Sequence, residues 1–311
     1  MLVLETNGLT KRYKKRTVVN AVNMHIEEGD IYGFVGENGA GKTTIIRMIS
    51  GLAAPTRGGY SLFGVDFRSV QIAQARAKMG GIVEAVSLSP SMTAKENIDF
   101  QCKLTGKTIT DAEKDALLRK VGLEPTEIAK KKAGSFSLGM RQRLGIALTL
   151  VSDPRFIVLD EPMNGLDPKG FIEVRDVILY LSREGITFLI SSHILSELDK
   201  VCTKIGFLSH GVLLKELSIA ELHDASKAKI VVEAEDIEGA RQALTAALSL
   251  TDVRVEGNAL FIFDPTDIND VLRMLVEQNI RVLNVGKRED TIETYYMNLI
   301  GGVSHEQPAE G

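Results

Sequence analysis

Cysteine is nearly absent from this 311-residue chain, with only Cys102 and Cys202. Two cysteines so far apart give neither a disulfide framework nor the short spacing of a metal site. They read as small core residues in a reducing compartment. Long apolar runs are missing as well. None approaches the ~18 residues that a membrane helix needs, so any membrane process would take its spans from another chain. The opening Met1-Leu2-Val3-Leu4-Glu5 meets an acid too early for a secretory signal. There is no excess of positive charge either. The formal net charge is -4, and nucleic acid is not expected among the partners. The basic residues Lys11, Arg12, Lys14, Lys15 and Arg16 form a local stretch that reads as a solvated loop. The chain has no internal repeat and no low-complexity tract.

What remains is an ordinary composition. It is 44% hydrophobic and 25% charged, which fits a soluble α/β protein and argues against disorder. The length allows about two domains.

The pattern along the chain gives the organisation. Leu2–Glu5 and Val18–Ile26 are expected to be strands flanking a charged turn. Asp30–Val35 is an apolar strand, and Lys42–Leu52 a helix with Ile45, Ile49 and Leu52 on one face. A strand near Tyr60–Phe63 and a helix near Ser69–Lys78 follow. From about residue 90 to 152 the pattern is helical. Thr93-Ala94-Lys95-Glu96 has the form of a capping box, and Asp111–Val121 reads as a helix. Phe156–Asp160 and Ile186–Ser191 are continuous apolar runs, suited to strands buried on both faces of a parallel sheet. Val174–Arg183 would be the crossover helix between them, and Ile205–Leu208 a further strand.

The pattern changes near Ala220. Strand Lys229–Ala234, helix Ile237–Leu250, a hairpin of Val253–Glu256 and Ala259–Phe263, helix Asp267–Gln278 and strand Val282–Gly286 follow. The order βαββαβ resembles a ferredoxin-like unit. Helix Thr291–Ile300 and a mobile tail over 301–311 complete the chain. The expected domains are therefore 1–220, with a helical part at about 90–152, and an α+β unit at 221–300.

Gly36-Glu37-Asn38-Gly39-Ala40-Gly41-Lys42-Thr43 fits G-x-x-x-x-G-K-[ST], between a strand and a helix. Glycines let the backbone curl so that successive N–H groups point at phosphate oxygens, and the helix N-terminus adds positive dipole. Lys42 should reach the β- and γ-phosphates of ATP, and Thr43 should ligate Mg²⁺. Thr44 closes the loop. Phe156–Asp160 with Glu161 is an apolar strand that ends in two acids. Two adjacent acids alone are usually a solvated loop. Beside a phosphate-binding loop, Asp160 becomes a candidate for the Mg²⁺ shell and Glu161 for the general base.

Those elements describe any P-loop NTPase. Ser135-Phe136-Ser137-Leu138-Gly139-Met140-Arg141-Gln142-Arg143 resembles the signature motif of the ATP-binding cassette (ABC) ATPases. Ser137 and Gly139 match it, whereas Leu138 and Met140 depart from its common form. Asn164-Gly165-Leu166-Asp167 resembles the family's D-loop, and Ser192-His193 its switch histidine. Tyr13 lies where the family stacks an aromatic on adenine; otherwise it is a surface tyrosine. Glu84 stands where most members carry a glutamine that faces Mg²⁺. This acid, the variant signature and the end Glu289-Asp290-Thr291-Ile292-Glu293 resemble the bacitracin- and lantibiotic-exporter group.

The resemblance implies an α/β P-loop cassette with a RecA-like core, an antiparallel β subdomain and a helical subdomain. It implies ATP and Mg²⁺ as ligands, with Ser137, Gly139 and Asp167 serving the ATP of a second cassette, as in an ATP-dependent homodimer. His193 would contact the γ-phosphate. The remaining partner would be a separate transmembrane permease, placing this chain at the cytoplasmic face of the membrane to power export. Two other readings stay open: a non-transport ABC ATPase, and a regulatory module built on the C-terminal unit.

Overall fold

A computed structural model describes residues 1–225, 229–288 and 292–303. Contacts divide the chain into two compact units, the first Met1–Ile219 and the second beginning at Ala220.

In the first unit, Leu2–Tyr13 (β1) and Arg16–Glu27 (β2) form a long hairpin. Ile31–Val35 (β3) leads into Lys42–Ile49 (α1). Arg57–Leu62 (β4), Val65–Asp66 (β5), Ile72–Arg76 (α2) and Met79–Ile82 (β6) follow. The helical stretch consists of Ala94–Thr105 (α3), Asp111–Lys120 (α4), Pro125–Ile128 (α5) and Leu138–Leu150 (α6). The chain then alternates through Phe156–Asp160 (β7), Pro168–Arg183 (α7), Thr187–Ser192 (β8), Leu195–Asp199 (α8) and Lys204–Ser209 (β9). Val212–Ser218 (β10) ends this series, and Ile219–Ala225 (α9) spans the division at Ala220.

β1 and β2 run well past their expected ends. Their outer residues are polar, and pairing rather than burial extends them as far as Tyr13↔Arg16. Buried Thr6 steadies a shift in register by donating to Val22 O (2.9 Å) and accepting from Met24 N (2.8 Å). This hairpin belongs to a four-stranded antiparallel sheet, β2-β1-β4-β5.

The second sheet has the order β10-β9-β3-β8-β7-β6 and is parallel except for β10. β3, β7 and β8 are buried at every residue, which is why their sequences read as unbroken apolar runs. In register, Val35 lies opposite Ser192, and Asp160 opposite Ser191. The carboxyl ends of β3, β7 and β8 therefore open at one edge, where open α/β sheets bind ligands.

The expected capping box is present. Thr93 N donates to Glu96 Oε2 at 2.6 Å, and Glu96 N donates to Thr93 Oγ1 at 3.3 Å. A second, at Thr110 and Glu113, opens α4. The crossover helix starts at Pro168 rather than Val174, because Asp167 caps it and proline suits the first turn. β6 and β10 were not anticipated. β6 is short and glycine-rich, and β10 mixes charged with apolar residues.

The second unit contains Lys229–Ala234 (β11), Ile237–Leu248 (α10), Val253–Glu256 (β12), Ala259–Ile262 (β13), Ile268–Glu277 (α11), Val282–Arg288 (β14) and Ile292–Val303 (α12). The sheet order is β12-β13-β11-β14, with every pair antiparallel. This is the split βαβ arrangement that the element order suggested. Ile230, Val232, Leu260 and Ile262 form its core with Ala240, Leu244, Val271 and Leu275. α12 takes in the first three residues of the expected tail. Positions 304–311 and Glu289-Asp290-Thr291 lie outside the described residues.

Candidate active site

The loop after β3 is shaped by close backbone passage. A Cβ on Gly36 would lie 2.5 Å from Leu208 O. Gly41 holds φ +109, and a Cβ there would meet Val18 O at 2.9 Å. Gly41 also stands at the start of α1 without a capping side chain. The first N–H groups of that helix are thus left for an anion.

Lys42 is buried at the start of α1. Its Nζ donates to Gly36 O (2.5 Å) and Glu37 O (3.3 Å), and lies 3.2 Å from Glu161 Oε1. Thr43 Oγ1 donates to Asp160 Oδ2 at 2.8 Å. The other oxygen of Asp160 accepts from Ser191 Oγ at 2.6 Å, and Ser191 Oγ in turn accepts from Glu161 N at 2.9 Å. Glu161 adopts φ +50, which turns its carboxylate out of the strand direction. Its Oε2 lies 2.9 Å from His193 Nδ1. Lys42, Thr43, Asp160, Glu161 and His193 are therefore one connected group, drawn from the start of α1 and the ends of β7 and β8.

A pocket of about 180 Å³ at this point is lined by Val18, Glu37, Asn38, Gly39, Gly41, Lys42, Thr43, Thr44 and Glu161. Ala40 is buried beneath it. The volume is below the roughly 300–1,000 Å³ usual for sites that enclose a small molecule. Larger cavities, of about 710 Å³ beside Arg143 and about 800 Å³ beside Lys229, lack the hydroxyl–carboxylate pair of Thr43 and Asp160. That pair fits Mg²⁺ in kind: two hard oxygens, within hydrogen-bond distance of each other, next to a phosphate-binding loop.

Other candidates lie apart from this pocket. Tyr13 is half-exposed at the end of β1, and Lys11 Nζ sits 4.9 Å from its ring centroid. Glu84 forms an ion pair with Arg47 and not with Thr43 or Asp160.

Ser137, Gly139 and Asp167 gather at two adjoining helix starts. Ser137 Oγ caps α6 by accepting from Met140 N at 3.2 Å. Asp167 Oδ1 caps α7 by accepting from Gly170 N at 2.9 Å. A Cβ on Gly139 would lie 3.2 Å from Gly170 Cα, so its bareness lets these two helix starts touch. None of the three lines the pocket at Lys42.

Three contributors went unnoticed in the sequence. Ser191 holds Asp160, and only strand register reveals it. Arg47 holds Glu84. Arg143 donates to Gly122 O (2.5 Å) on the loop after α4 and pairs with Glu173 (2.9 Å) of α7. It thereby ties the helical stretch to the core. Burial pulls the Arg143 pKa down from its usual value, and the Glu173 carboxylate opposes that shift.

The family model described as ABC transporter matches residues 19–164. The bacitracin transport ATP-binding protein BcrA of Enterococcus faecalis is 36% identical over 96% of this chain and 97% of its own. The lantibiotic transport ATP-binding protein SrtF of Streptococcus pyogenes is 40% identical over 69% of this chain and 90% of its own. Among solved structures, a dimeric ATP-binding cassette in a post-hydrolysis state with ADP and Pi has the same fold. Its TM-score is 0.62 at 24% identity, covering 70% of this chain and 98% of that one. With a phosphate-binding loop, two acids at a strand end and a full-length relative on this scale, the chain belongs to the ABC transporter family, as an ATP-binding, ATP-hydrolysing subunit.

Proposed function

We propose that this chain powers export of a peptide antibiotic through a separate membrane permease. In this reading it acts as an ATP- and Mg²⁺-dependent pair of cassettes at the cytoplasmic face. The observation that carries the reading is the connected group from Lys42 to His193, of which Lys42, Thr43 and Glu161 line a pocket too small to enclose a nucleotide. A second surface is needed, and Ser137, Gly139 and Asp167 form one away from that pocket. Two copies related by a two-fold axis can each offer this surface to the other's loop. The cassette is residues 1–220, with its helical subdomain at about 90–152, and 221–300 form the accessory domain.

Each residue has a task. The N–H groups from Glu37 to Thr44 and the Lys42 ammonium bind phosphate oxygens. Thr43 and Asp160 would hold Mg²⁺, which when bound neutralises phosphate charge. Glu161 takes a proton from the attacking water, and His193 orients Glu161 and the γ-phosphate. Tyr13 stacks on the base. Glu84 joins the metal shell.

Among the described residues no helix is long and apolar enough to cross a membrane. A permease can dock on the cavity of about 480 Å³ between β6 and α6, beside the exposed apolar residues Leu52, Phe100 and Leu104. Antibiotic as cargo rests on the names of the bacitracin and lantibiotic relatives.

Affinity capture of the tagged chain from membranes tests the proposal. Recovery of a polytopic permease, together with antibiotic sensitivity when the chain is deleted, supports it. Absence of any membrane partner together with unchanged sensitivity refutes it.

A further inference from the structure

We propose that Arg47 holds Glu84 in a parked position, one helical turn from Thr43, and that Glu84 reaches the Thr43–Asp160 oxygens only by leaving Arg47. This rests on the nucleotide-site reading above and adds a positioning residue to it.

Thr43 and Arg47 are four residues apart on α1, so they share a face with Cβ atoms about 5–6 Å apart. Thr43 is bound to Asp160, whereas Arg47 Nη2 is paired with Glu84 Oε1. The Glu84 carboxylate is therefore held from the next turn of the helix that carries Thr43, while Thr43 is paired with Asp160.

The backbone at Glu84 is unusual. Its φ is +68, and Ala85 N donates to Val83 O at 2.9 Å. An i→i+2 bond around a positive φ is the rare, strained form of γ-turn, and such geometry persists where neighbours hold it. Two contacts do so here. The carboxylate is held by Arg47 of the loop helix. On the other side Val86 packs where α6 has no side chain, since a Cβ on Gly145 would meet Val86 Cγ1 at 2.5 Å. One short segment thus links the phosphate-loop helix to the helix that carries Ser137 and Gly139.

The pair suits exchange. Its side chains are 41% and 56% exposed, and exposed ion pairs are weak enough to be given up. The carboxylate is essential to this device. A glutamine would lack the charge that draws Arg47, so Arg47 would no longer hold position 84.

The experiment is a double-mutant cycle on Mg²⁺ affinity, with every protein also carrying E161Q so that nucleotide is not consumed. Binding of a fluorescent ATP analogue is titrated with Mg²⁺ in the E161Q parent, R47M, E84Q and R47M/E84Q. Both side chains are exposed, so all four should fold alike, and thermal unfolding checks this. With Glu84 present, R47M should lower the Mg²⁺ half-saturation by about threefold, the size that a weak exposed pair supports. With Gln at 84, the same change should have no effect. An equal shift in both backgrounds, or none with Glu84 present, overturns the parked position. Failure of all four to bind the analogue at saturating Mg²⁺ would instead refute the nucleotide-site reading, and this proposal with it.

Discussion

Glu161 is held from two sides, with Lys42 3.2 Å from one carboxylate oxygen and His193 2.9 Å from the other. In the role of base proposed for it, Glu161 would be oriented before the reaction. Replacing it by glutamine preserves shape and removes basicity. Glu161→Gln should lower phosphate release by about 100-fold or more while the equilibrium ATP affinity stays within a small factor. Near-normal turnover would remove Glu161 from the base role. That Lys42, Thr43, Asp160 and Glu161 come together was legible in the sequence because each lies inside a local pattern beside a strand end. Ser191 and Arg47 were not legible, since each meets its partner through strand register or helix placement. No local pattern marks such an encounter.

Among the elements, α6 and α7 meet at their starts, and the contact depends on a missing side chain and a cap. Gly139→Val would push into Gly170 Cα, 3.2 Å from the Cβ position. It should destabilise the first unit by roughly 1–3 kcal/mol, read as a lower denaturation midpoint. Asp167→Ala removes the bond to Gly170 N and should cost about 0.5–2 kcal/mol, while Asp167→Asn should keep most of the cap. Equal loss in both variants would show that the carboxylate has another structural task. The start of α3 was legible from the sequence because Thr93 and Glu96 form a local capping box. The start of α7 was missed because its first turn, Pro168 to Phe171, lacks apolar periodicity and is held by the Asp167 cap. β10 was hidden because an edge strand needs no continuous apolar run.

At the scale of the molecule, the two units have separate cores, one around Phe34, Phe156 and Leu189 and the other around Val232, Leu244 and Leu275. Calorimetry should resolve two transitions. ATP with Mg²⁺ should raise only the first, because the ligand stabilises the unit that binds it. Leu244→Ala should lower only the second, by roughly 2–5 kcal/mol. A single transition moved equally by both treatments would contradict this independence.

We propose that each chain holds half of a site, which a second copy completes. Complementation tests it most directly. Lys42→Ala disables the loop, and Ser137→Arg blocks the opposing surface, so each variant alone should be inactive. Mixed in equal amounts, half of the pairs combine both variants. Each mixed pair restores one of two sites, giving about a quarter of the unmodified activity. An inactive mixture, or a Ser137→Arg chain that hydrolyses ATP on its own, would show that the site is not shared between two copies.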